Sequence, residues 1–524
     1  MKILCTLVFL FFTANIFSQA GMPMLYATII DSVDIRKHVF RLASPEFEGR
    51  ETGTEGNIKA AYYIAHQFSS FGIPVTPGDR DYYQEVAFST IKWSEMNLAI
   101  NGEPVEHLRD FLSIPQYFPL SSSEMNISSL TFLGYGIDDK AYSDYKGKNV
   151  KGQHLLVFGG EPRDKKGNFR ITGTDSLSAW SYDPLLKVNA ARNAGAASIW
   201  IIDEHLREQV MFARRYLLTG AMLMGSPDSL TQEFVAHAFI SPALGEKLTG
   251  EKRNKVIKAR NRITKRGRAE SMSIPVDIKW KPVHKVTSTP GVNVLGFIEG
   301  IDPAVNDEVI VVSAHYDHLG KRGNDIYYGA DDNASGTAAV LEIAQAMAKA
   351  KADGAGPRRS VLCMLVTGEE KGLLGSQYYA ENPVFPISGT VANVNIDMIG
   401  RMDTLHRHPY YTYVIGSDRL STELHEINET ANRLYTKLEL DYTYNRDDDP
   451  NKFYYRSDHY NFAKKGIPAI FYFSGVHEDY HRPGDTPDKL MYGKAEAIAR
   501  LAFHTAWELA NRNERIKVDV EGRN

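Results

Sequence analysis

Histidine and carboxylate side chains recur after the apolar runs in the C-terminal half of this 524-residue chain. These runs are 308–314, 361–366, 391–396 and 467–473. The residues after them that could do chemistry are His315, Asp317, His318, Asp331, Asp332, Glu369, Glu370, Asp397, His477, His481 and Asp485. Imidazole and carboxylate groups are common zinc ligands, and carboxylates held together without a cation would repel one another. The pattern therefore predicts a site for zinc or a similar divalent ion.

The elements that must position these residues follow from the pattern of the last 235 or so residues. Helical patterns at 336–350, 371–381, 419–438 and 492–511 alternate with the apolar, strand-like runs. Apolar strands separated by helices indicate an α/β fold with a mixed, mostly parallel sheet covered by helices on both faces. The chemistry-bearing residues then lie at the carboxyl ends of strands, where ligands and catalytic groups collect in such sheets.

The composition is that of an ordinary globular protein, with 43% hydrophobic and 24% charged residues. The net charge of -4 argues against a dedicated nucleic-acid binder, which would usually be basic. A chain of this length exceeds what one core usually holds, so we expect two or three compact units.

The first 20 residues resemble a secretory signal peptide. They carry Lys2, an apolar run over 3–12 and the small residues Ser18 and Ala20 before the expected cleavage point. The apolar run is shorter than the ~20 residues that cross a bilayer, so we expect no integral membrane segment. The mature protein is expected to be exported, either periplasmic or extracellular. Of the two cysteines, Cys5 falls in this segment, which leaves Cys363 without a partner.

A block from 125 to 270 differs from the rest, with short apolar runs separated by long polar, glycine-containing stretches. It predicts an inserted, β-rich module. The organisation expected is then a signal peptide over 1–20, a first part of the main domain over 21–124, the insertion, and the main domain over 271–524. The basic run from Lys252 to Arg268 closes the insertion, and we interpret it as a solvated helix face rather than an anion-binding patch.

Seven stretches resemble metallopeptidase family 28, the co-catalytic zinc exopeptidases and especially the secreted aminopeptidases among them. They occur in the family's order and read EFEGRETGTEGNIKAAYYIA, SAHYDHLG, YYGADDNASGTAAVLEIA, LVTGEEKGLLGS, NVNIDMIGR, YRSDHYNFAKKGIPAIFYFSG and DYHRPGDTPDKL. The resemblance implies the zinc exopeptidase fold. The inserted block, with LGYGI, VKGQHLLVF and AARNAGAASIWIID, resembles a protease-associated domain.

The resemblance implies a role for each residue and two zinc ions per chain. Asp331 would bridge the two ions. His315 and Asp397 would complete one site, and Glu370 and His481 the other. Glu369 would be the general base acting on a metal-bound water, and Asp317 would orient His315. The remaining nearby histidines, which we interpret as supporting or surface residues, are His318, His459 and His477.

The implied activity is removal of N-terminal residues from peptides with a free N-terminus. In this family the peptide bond after the bridging aspartate is often cis, which would place it at Asp331–Asp332. Tyr472, Phe473 and Tyr480 are candidates for the wall of the side-chain pocket because they lie close to the motifs.

Three alternatives stay open. Relatives of the same fold act as carboxypeptidases or dipeptidases, and glutaminyl cyclases use a single zinc. The stretch Ser457-Asp458-His459 followed by Phe462 is also compatible with the cyclases. Asp397 favours a second metal site and hydrolysis. Receptor-like relatives have lost the catalytic residues, all of which are present here.

Overall fold

The computed structural model describes residues 23–521 except 79, 122, 232, 233 and 269. The expected signal peptide, with Cys5, lies outside the described residues. Within them, no helix combines the length and the apolar character needed to cross a membrane. The chain divides into two compact units, Met1–Ala87 with Thr289–Asn524, and Phe88–Ser288.

The strands, numbered along the chain, are β1 (Tyr83–Ile100), β2 (Glu103–Val105), β3 (Phe111–Leu112), β4 (Met125–Leu133), β5 (His154–Phe158), β6 (Ser198–Ile202), β7 (Ala221–Met224), β8 (Ala236–Ile240), β9 (Ser271–Ile298), β10 (Val309–His315), β11 (Gly320–Arg322), β12 (Asp325–Tyr327), β13 (Ser360–Val366), β14 (Thr390–Ile396), β15 (Tyr411–Ile415), β16 (Glu439–Asp441) and β17 (Ala469–Phe473).

The helices are α1 (Ser32–Leu42), α2 (Glu55–Ser70), α3 (Ala179–Tyr182), α4 (Leu185–Asn193), α5 (Leu206–Thr219), α6 (Pro242–Thr249), α7 (Arg253–Arg266), α8 (Gly336–Ala352), α9 (Leu374–Glu381), α10 (Thr422–Ala431), α11 (His459–Ala463) and α12 (Tyr492–Asn511).

The first unit is built on a mixed, mostly parallel sheet, as the sequence predicts. Its order is β16-β15-β17-β14-β10-β13-β9. The central strand β10 runs parallel to β13 and β14, and β14 runs parallel to β17. The C-terminal end of β9 is antiparallel to β13, and β15 is antiparallel to β17. The carboxyl ends of the four central parallel strands therefore meet at one edge.

Both faces of this sheet are covered, because alternate residues of β10 are buried in different cores. Ile310, Val312 and Ala314 belong to the cluster that includes residues of α1, α2, α8 and α12. Val309 and Val311 belong to the cluster that contains Tyr379 of α9 and Phe462 of α11. The period of two along a strand with both faces buried explains why these strands are continuous apolar runs.

The second unit is larger than the expected 125–270, because strands on both flanks join its sheet. β4, β5, β6 and β8 run parallel, β3 closes one side, and Ser271–Trp280 of β9 pair with β4 on the other. Leu156 and Trp200 are buried in one core of this unit, and Leu155 and Ile199 in another. The expected basic run forms α7, whose inward residues are Val256, Ala259 and Ile263.

Candidate metal centre

The candidate centre lies at the carboxyl edge of the sheet in the first unit. β10 ends at His315, β13 is followed by Glu369 and Glu370, and β14 is followed by Asp397. The segment Ala330–Ser335, which precedes α8, and the turn after β17 reach the same edge. Because neighbouring parallel strands end side by side, residues far apart in the sequence come within a few ångströms of one another.

One group of possible metal ligands consists of His315, Asp332 and Asp397. The His315 Nε2 lies 3.4 Å from Asp332 Oδ1 and 3.4 Å from Asp397 Oδ1. All three residues are buried, and each offers a ligand atom within 4.8 Å of the others. One imidazole and two carboxylates at this spacing can hold a divalent ion.

A second group is arranged around the other oxygen of Asp332. The His481 Nε2 lies 3.1 Å from Asp332 Oδ2 and 3.3 Å from Glu370 Oε1. The Nδ1 of His318 also lies close, 3.0 Å from Glu370 Oε1 and 3.7 Å from Asp332 Oδ2. His318 with Asp332 and Glu370 also meets the 4.8 Å spacing. The two oxygens of one carboxylate thus face two different groups of ligand atoms.

The structure places Asp332, and not the expected Asp331, between the two groups. The Asp331 Oδ1 accepts a hydrogen bond of 2.6 Å from the backbone N–H of Gly400, and its Oδ2 lies 3.5 Å from His477 Nε2. The cis peptide bond is Asp332–Asn333, one position after the one expected. In a run of two adjacent aspartates the two side chains point in different directions, which the sequence motif alone does not resolve.

Asp317 supports the centre mainly through the backbone. Its Oδ1 accepts a hydrogen bond from the backbone N–H of Glu369 at 3.2 Å, and its Oδ2 accepts from Glu370 N–H at 3.4 Å and from Thr52 Oγ1 at 2.8 Å. The His315 Nδ1 lies 3.1 Å from the Asp317 carbonyl oxygen, but 3.7 Å from its carboxylate. Asp317 therefore orients His315 through its backbone carbonyl oxygen and not through its carboxylate.

Hydrogen bonds to Asp485 and from Ser457 orient the aspartates of the centre. Asp485 accepts hydrogen bonds from the backbone N–H groups of Asp331, at 3.0 Å, and Asp332, at 3.1 Å. The Ser457 hydroxyl donates to Asp397 Oδ2 at 2.8 Å, which leaves Oδ1 facing His315. These contacts fix the orientation of the ligand groups, as is usual around metal sites.

Arg50, from the EFEGR stretch, braces the loop before the aspartates. It is fully buried, and its guanidinium donates to the carbonyl oxygens of Tyr316, Leu42, Tyr328 and Gly329. A buried guanidinium with several carbonyl acceptors satisfies its donors without a paired carboxylate. Burial lowers the pKa of Arg50 to about 10.

Electrostatics at the centre favour a cation. Burial alone would lower the pKa of His481, but Asp332 and Glu370 raise it to about 10. Burial likewise opposes charge on His315, yet Asp397 and Glu369 raise its pKa well above the usual value. The buried carboxylates thus need positive charge nearby, and a divalent ion can supply it in place of imidazole protons. The donor set, imidazoles with carboxylates, fits zinc.

Glu369 differs from Glu370 in its surroundings. Burial, together with Glu370, Asp397 and Asp458, raises the pKa of Glu369 well above its usual value. Its Oε2 lies 3.9 Å from His315 Nε2, beyond the contacts made by the two ligand groups. Two adjacent glutamates therefore reach different places, because the turn after Gly368 directs them apart.

A cavity opens beside the centre. Its walls include His315, Asp332, Glu369, Asp397 and His481, and its apolar part is formed by Met398, Phe453, Phe471, Phe473 and Val476. Arg456 and Tyr480 complete it, with an Arg456 N–H 3.4 Å from the Tyr480 hydroxyl. Of the residues expected in the wall, Phe473 and Tyr480 are present. Tyr472 is directed elsewhere, because its hydroxyl bonds to Asn428 and Thr505.

The sequence interpretation did not include Asp332 or His318 among the candidate ligands. Asp332 follows another aspartate, and the sequence does not show which of the two faces the histidines. His318 lies three residues after His315 in the same HYDH stretch. His477 contacts Asp331, outside the two ligand groups. His459 stacks on Phe471, with 4.9 Å between ring centroids.

Comparison with known proteins identifies a peptidase family that part of this chain resembles. Residues 293–506 match the model of peptidase family M28, and this segment carries most of the centre. A probable leucine aminopeptidase of Arthroderma otae is 32% identical over 223 residues, which cover 41% of this chain and 58% of the relative. Leupeptin-inactivating enzyme 1 of Streptomyces exfoliatus is 29% identical, with 43% and 44% covered. The chain thus spans about half the length of these curated relatives.

Two solved structures share the fold over nearly the whole chain. An aminopeptidase from Aneurinibacillus sp. strain AM-1 has a TM-score of 0.57 and 21% identity, covering 95% of this chain and 98% of that protein. A zinc aminopeptidase from Bacillus subtilis has a TM-score of 0.50 and 17% identity, covering 94% and 99%. At these identities the likeness establishes the fold.

Proposed function

We propose that the protein is a secreted zinc-dependent aminopeptidase that removes N-terminal residues from peptides. The observation that carries the proposal is the Asp332 carboxylate, whose two oxygens face two separate groups of imidazole and carboxylate ligands. The match of residues 293–506 to peptidase family M28 and the aminopeptidase activity named for the Arthroderma otae relative support hydrolysis of a peptide bond from the N-terminus.

The ligand assignment follows the two groups. His315, Asp332 and Asp397 would hold one zinc ion, and Asp332, Glu370 and His481 the other. Zinc bound here would supply Lewis-acid polarisation of the scissile carbonyl and would lower the pKa of a bound water. Two ions sharing one carboxylate would also neutralise the buried negative charge of the centre.

Glu369 is the proposed general base. It lines the cavity beside both ligand groups without belonging to either. Burial and the neighbouring carboxylates raise its pKa, which makes it a better proton acceptor than an exposed glutamate. It would accept the proton of the attacking water and return it to the leaving amine. Asp317 would keep Glu369 in position through the hydrogen bond to its backbone N–H.

The cavity suggests the side chain that the enzyme accepts. Met398, Phe453, Phe471, Phe473 and Val476 form its apolar wall. Burying a large apolar side chain there contributes roughly 1.5–3 kcal/mol to binding. We therefore propose a preference for bulky apolar N-terminal residues, which agrees with the name of the Arthroderma otae relative.

Arg456 favours a second candidate, a dipeptidase or carboxypeptidase. It contributes the guanidinium of the cavity, which could pair with a substrate carboxylate. Peptides that differ only at their ends separate the two functions. An aminopeptidase cleaves C-terminally amidated peptides and fails on N-acetylated ones. A carboxypeptidase shows the reverse dependence, and a dipeptidase cleaves only dipeptides whose two ends are both free.

The direct test is a panel of aminoacyl anilides and matched N-blocked peptides, assayed with and without a chelator. We expect hydrolysis of the unblocked substrates, its loss on chelation and its recovery with added zinc. Formation of pyroglutamate from N-terminal glutamine, with no hydrolysis, would assign the protein to the glutaminyl cyclases instead. Elemental analysis is the companion measurement, and two zinc ions per chain are expected. A chain without bound metal or activity would match a receptor-like relative.

A further inference from the structure

We propose that His318 is an additional protein ligand of the second zinc ion, together with Asp332, Glu370 and His481. The inference rests on the zinc centre of the proposed function and adds to it a residue outside the ligand set that the family resemblance implies. It makes the two metal positions unequal, because one is held by more protein ligands than the other.

The position of the His318 ring is the first observation. His318 is fully buried, and its Nδ1 lies 3.0 Å from Glu370 Oε1 and 3.7 Å from Asp332 Oδ2. The His481 Nε2 approaches the same two oxygens at 3.3 and 3.1 Å. The two rings meet edge to face, with 5.9 Å between their centroids. Both imidazoles therefore surround the same pair of carboxylate oxygens.

The second observation concerns hydrogen bonds. Within the part of the chain that the structure describes, neither Nδ1 nor Nε2 of His318 has a hydrogen-bond partner. An imidazole always carries at least one N–H, and buried polar atoms are nearly always satisfied. The close approach of Nδ1 to Glu370 thus lacks hydrogen-bond geometry. A metal ion bound between His318 Nδ1 and the oxygens of Glu370 and Asp332 would give Nδ1 a partner.

The backbone around His318 holds the ring in place. The His318 backbone N–H donates to the Arg50 carbonyl oxygen at 3.2 Å, and His318 pairs with Glu51 in an isolated β-bridge. Gly329 leaves the space that the ring needs, since a Cβ at this position would lie 2.5 Å from His318 Cγ. Gly329 also adopts a φ of +57°, a conformation that favours glycine. The surrounding chain is therefore shaped to admit this imidazole beside the carboxylates.

The consequence is a division of roles between the two ions. The first position has three protein ligands, His315, Asp332 and Asp397, as catalytic zinc sites usually do. The second would have four, as structural zinc sites usually do. The second ion should therefore be bound more tightly, and the first should be the one that exchanges and leaves a position for water or substrate.

The test measures metal binding without an activity assay. The full-length protein is freed of metal by chelator dialysis and titrated with zinc in competition with a chromophoric chelator. We expect two unequal affinities in the wild type. The His318→Leu variant should lose more than the ~10–100-fold in the tighter affinity that removal of an outer-shell partner typically costs, and keep the weaker affinity. In His318→Asn, which keeps a donor atom near the position of Nδ1, we expect a smaller loss.

His459→Leu is the matched control. His459 is also fully buried, and both of its ring nitrogens lack hydrogen bonds among the described residues. It stacks on Phe471 instead of approaching the metal ligands. Its replacement should leave both zinc affinities unchanged. The same loss of affinity in His318→Leu and His459→Leu would overturn the proposal, because it would show a general response to the loss of a buried histidine.

X-ray absorption of the zinc-loaded wild type gives an answer that needs no variant to fold. We expect three imidazoles for every two zinc ions. Two imidazoles for two ions, or unchanged affinities in His318→Leu, would overturn the role of His318 and leave the proposed function standing. A wild type that binds no zinc would remove both.

Discussion

The Asp317 carboxylate accepts a hydrogen bond from the backbone N–H of Glu369 at 3.2 Å, so a buried acid two residues after β10 fixes the turn that carries the proposed base. The neighbouring N–H of Glu370 points to the same carboxylate at 3.4 Å. One side chain thereby controls both glutamates, one in each proposed role. Its contact with His315 runs through the main-chain carbonyl.

The Asp317→Asn substitution tests this relationship. It keeps the shape but halves the acceptor capacity and removes the negative charge facing two N–H groups. We expect turnover to fall roughly 10–100-fold, with zinc content reduced less than activity. Steady-state kinetics and elemental analysis on the same preparations check this. Thr52→Val, which removes only the hydroxyl contact to Asp317, is the milder control. Unchanged turnover in Asp317→Asn would contradict the positioning role.

The adjacent aspartates give a second prediction. Asp332→Asn should lose most bound zinc, because both proposed ions share this carboxylate. Asp331→Asn should keep its zinc, because its side chain bonds to Gly400 and lies beside His477. Zinc per chain, measured after identical dialysis of the two variants, distinguishes them. The reverse result would restore Asp331 as the bridging residue.

The sequence predicts the sheet and most of the centre because both depend on local pattern. The apolar runs of β10, β13 and β14 are buried on both faces, and a residue that follows such a run has to lie at the sheet edge. This is why the sequence alone predicts that His315, Glu370 and Asp397 lie close together. The three residues lie side by side because β14, β10 and β13 are neighbours in the sheet.

The direction in which an individual side chain points does not follow from that pattern. Asp331 and Asp332 occupy one motif, and only the backbone between Gly329 and Ser335 decides which of them faces the histidines. His318 is three residues from His315, and its ring reaches the second group because the chain turns at Asp317 and Gly329 leaves room. The wider limits of the second unit arise from pairing of Ser271–Trp280 with β4, a contact between distant segments.

A third prediction concerns the pH dependence of stability. His237 of β8 is fully buried, and burial lowers its pKa to about 4 from an ordinary value of 6.5. Between these values the unfolded chain binds a proton that the folded chain does not, so stability is present above pH 6.5 and is lost as the pH falls towards 4. From this group alone, the free energy of unfolding should drop by about 2 kcal/mol between pH 7 and 5.

Urea unfolding followed by tryptophan fluorescence can measure this loss, since Trp200 and Trp280 are buried in the same unit. In His237→Gln the difference between pH 7 and pH 5 should shrink by that amount. His205→Gln, at a side chain that is 77% exposed, should behave as the wild type. An equal pH dependence in all three proteins would show that His237 is not the responsible group.

A fourth prediction separates the two units. The proposed ligands and Glu369 all belong to the first unit, and residues 88–288 supply none of them. We propose that this second unit selects extended substrates. Replacing residues 88–288 by a short flexible linker should leave zinc content unchanged and alter the dependence of kcat/KM on peptide length. Loss of both zinc ions from a folded deletion protein would refute the separation.

The last prediction distinguishes the two adjacent glutamates. Glu369→Gln keeps the shape of the side chain but cannot accept a proton, so turnover should fall roughly 10²–10⁴-fold while zinc content stays at the wild-type value. Glu370→Gln should first lose zinc affinity, because the Glu370 carboxylate lies 3.3 Å from His481 and 3.0 Å from His318. Both variants lose activity, and zinc occupancy is therefore the measurement that tells them apart. A zinc-depleted Glu369→Gln beside a fully loaded Glu370→Gln would exchange the two roles. Near-normal turnover in a fully loaded Glu369→Gln would remove Glu369 from the mechanism, because glutamine cannot accept the proton that the general base has to take up.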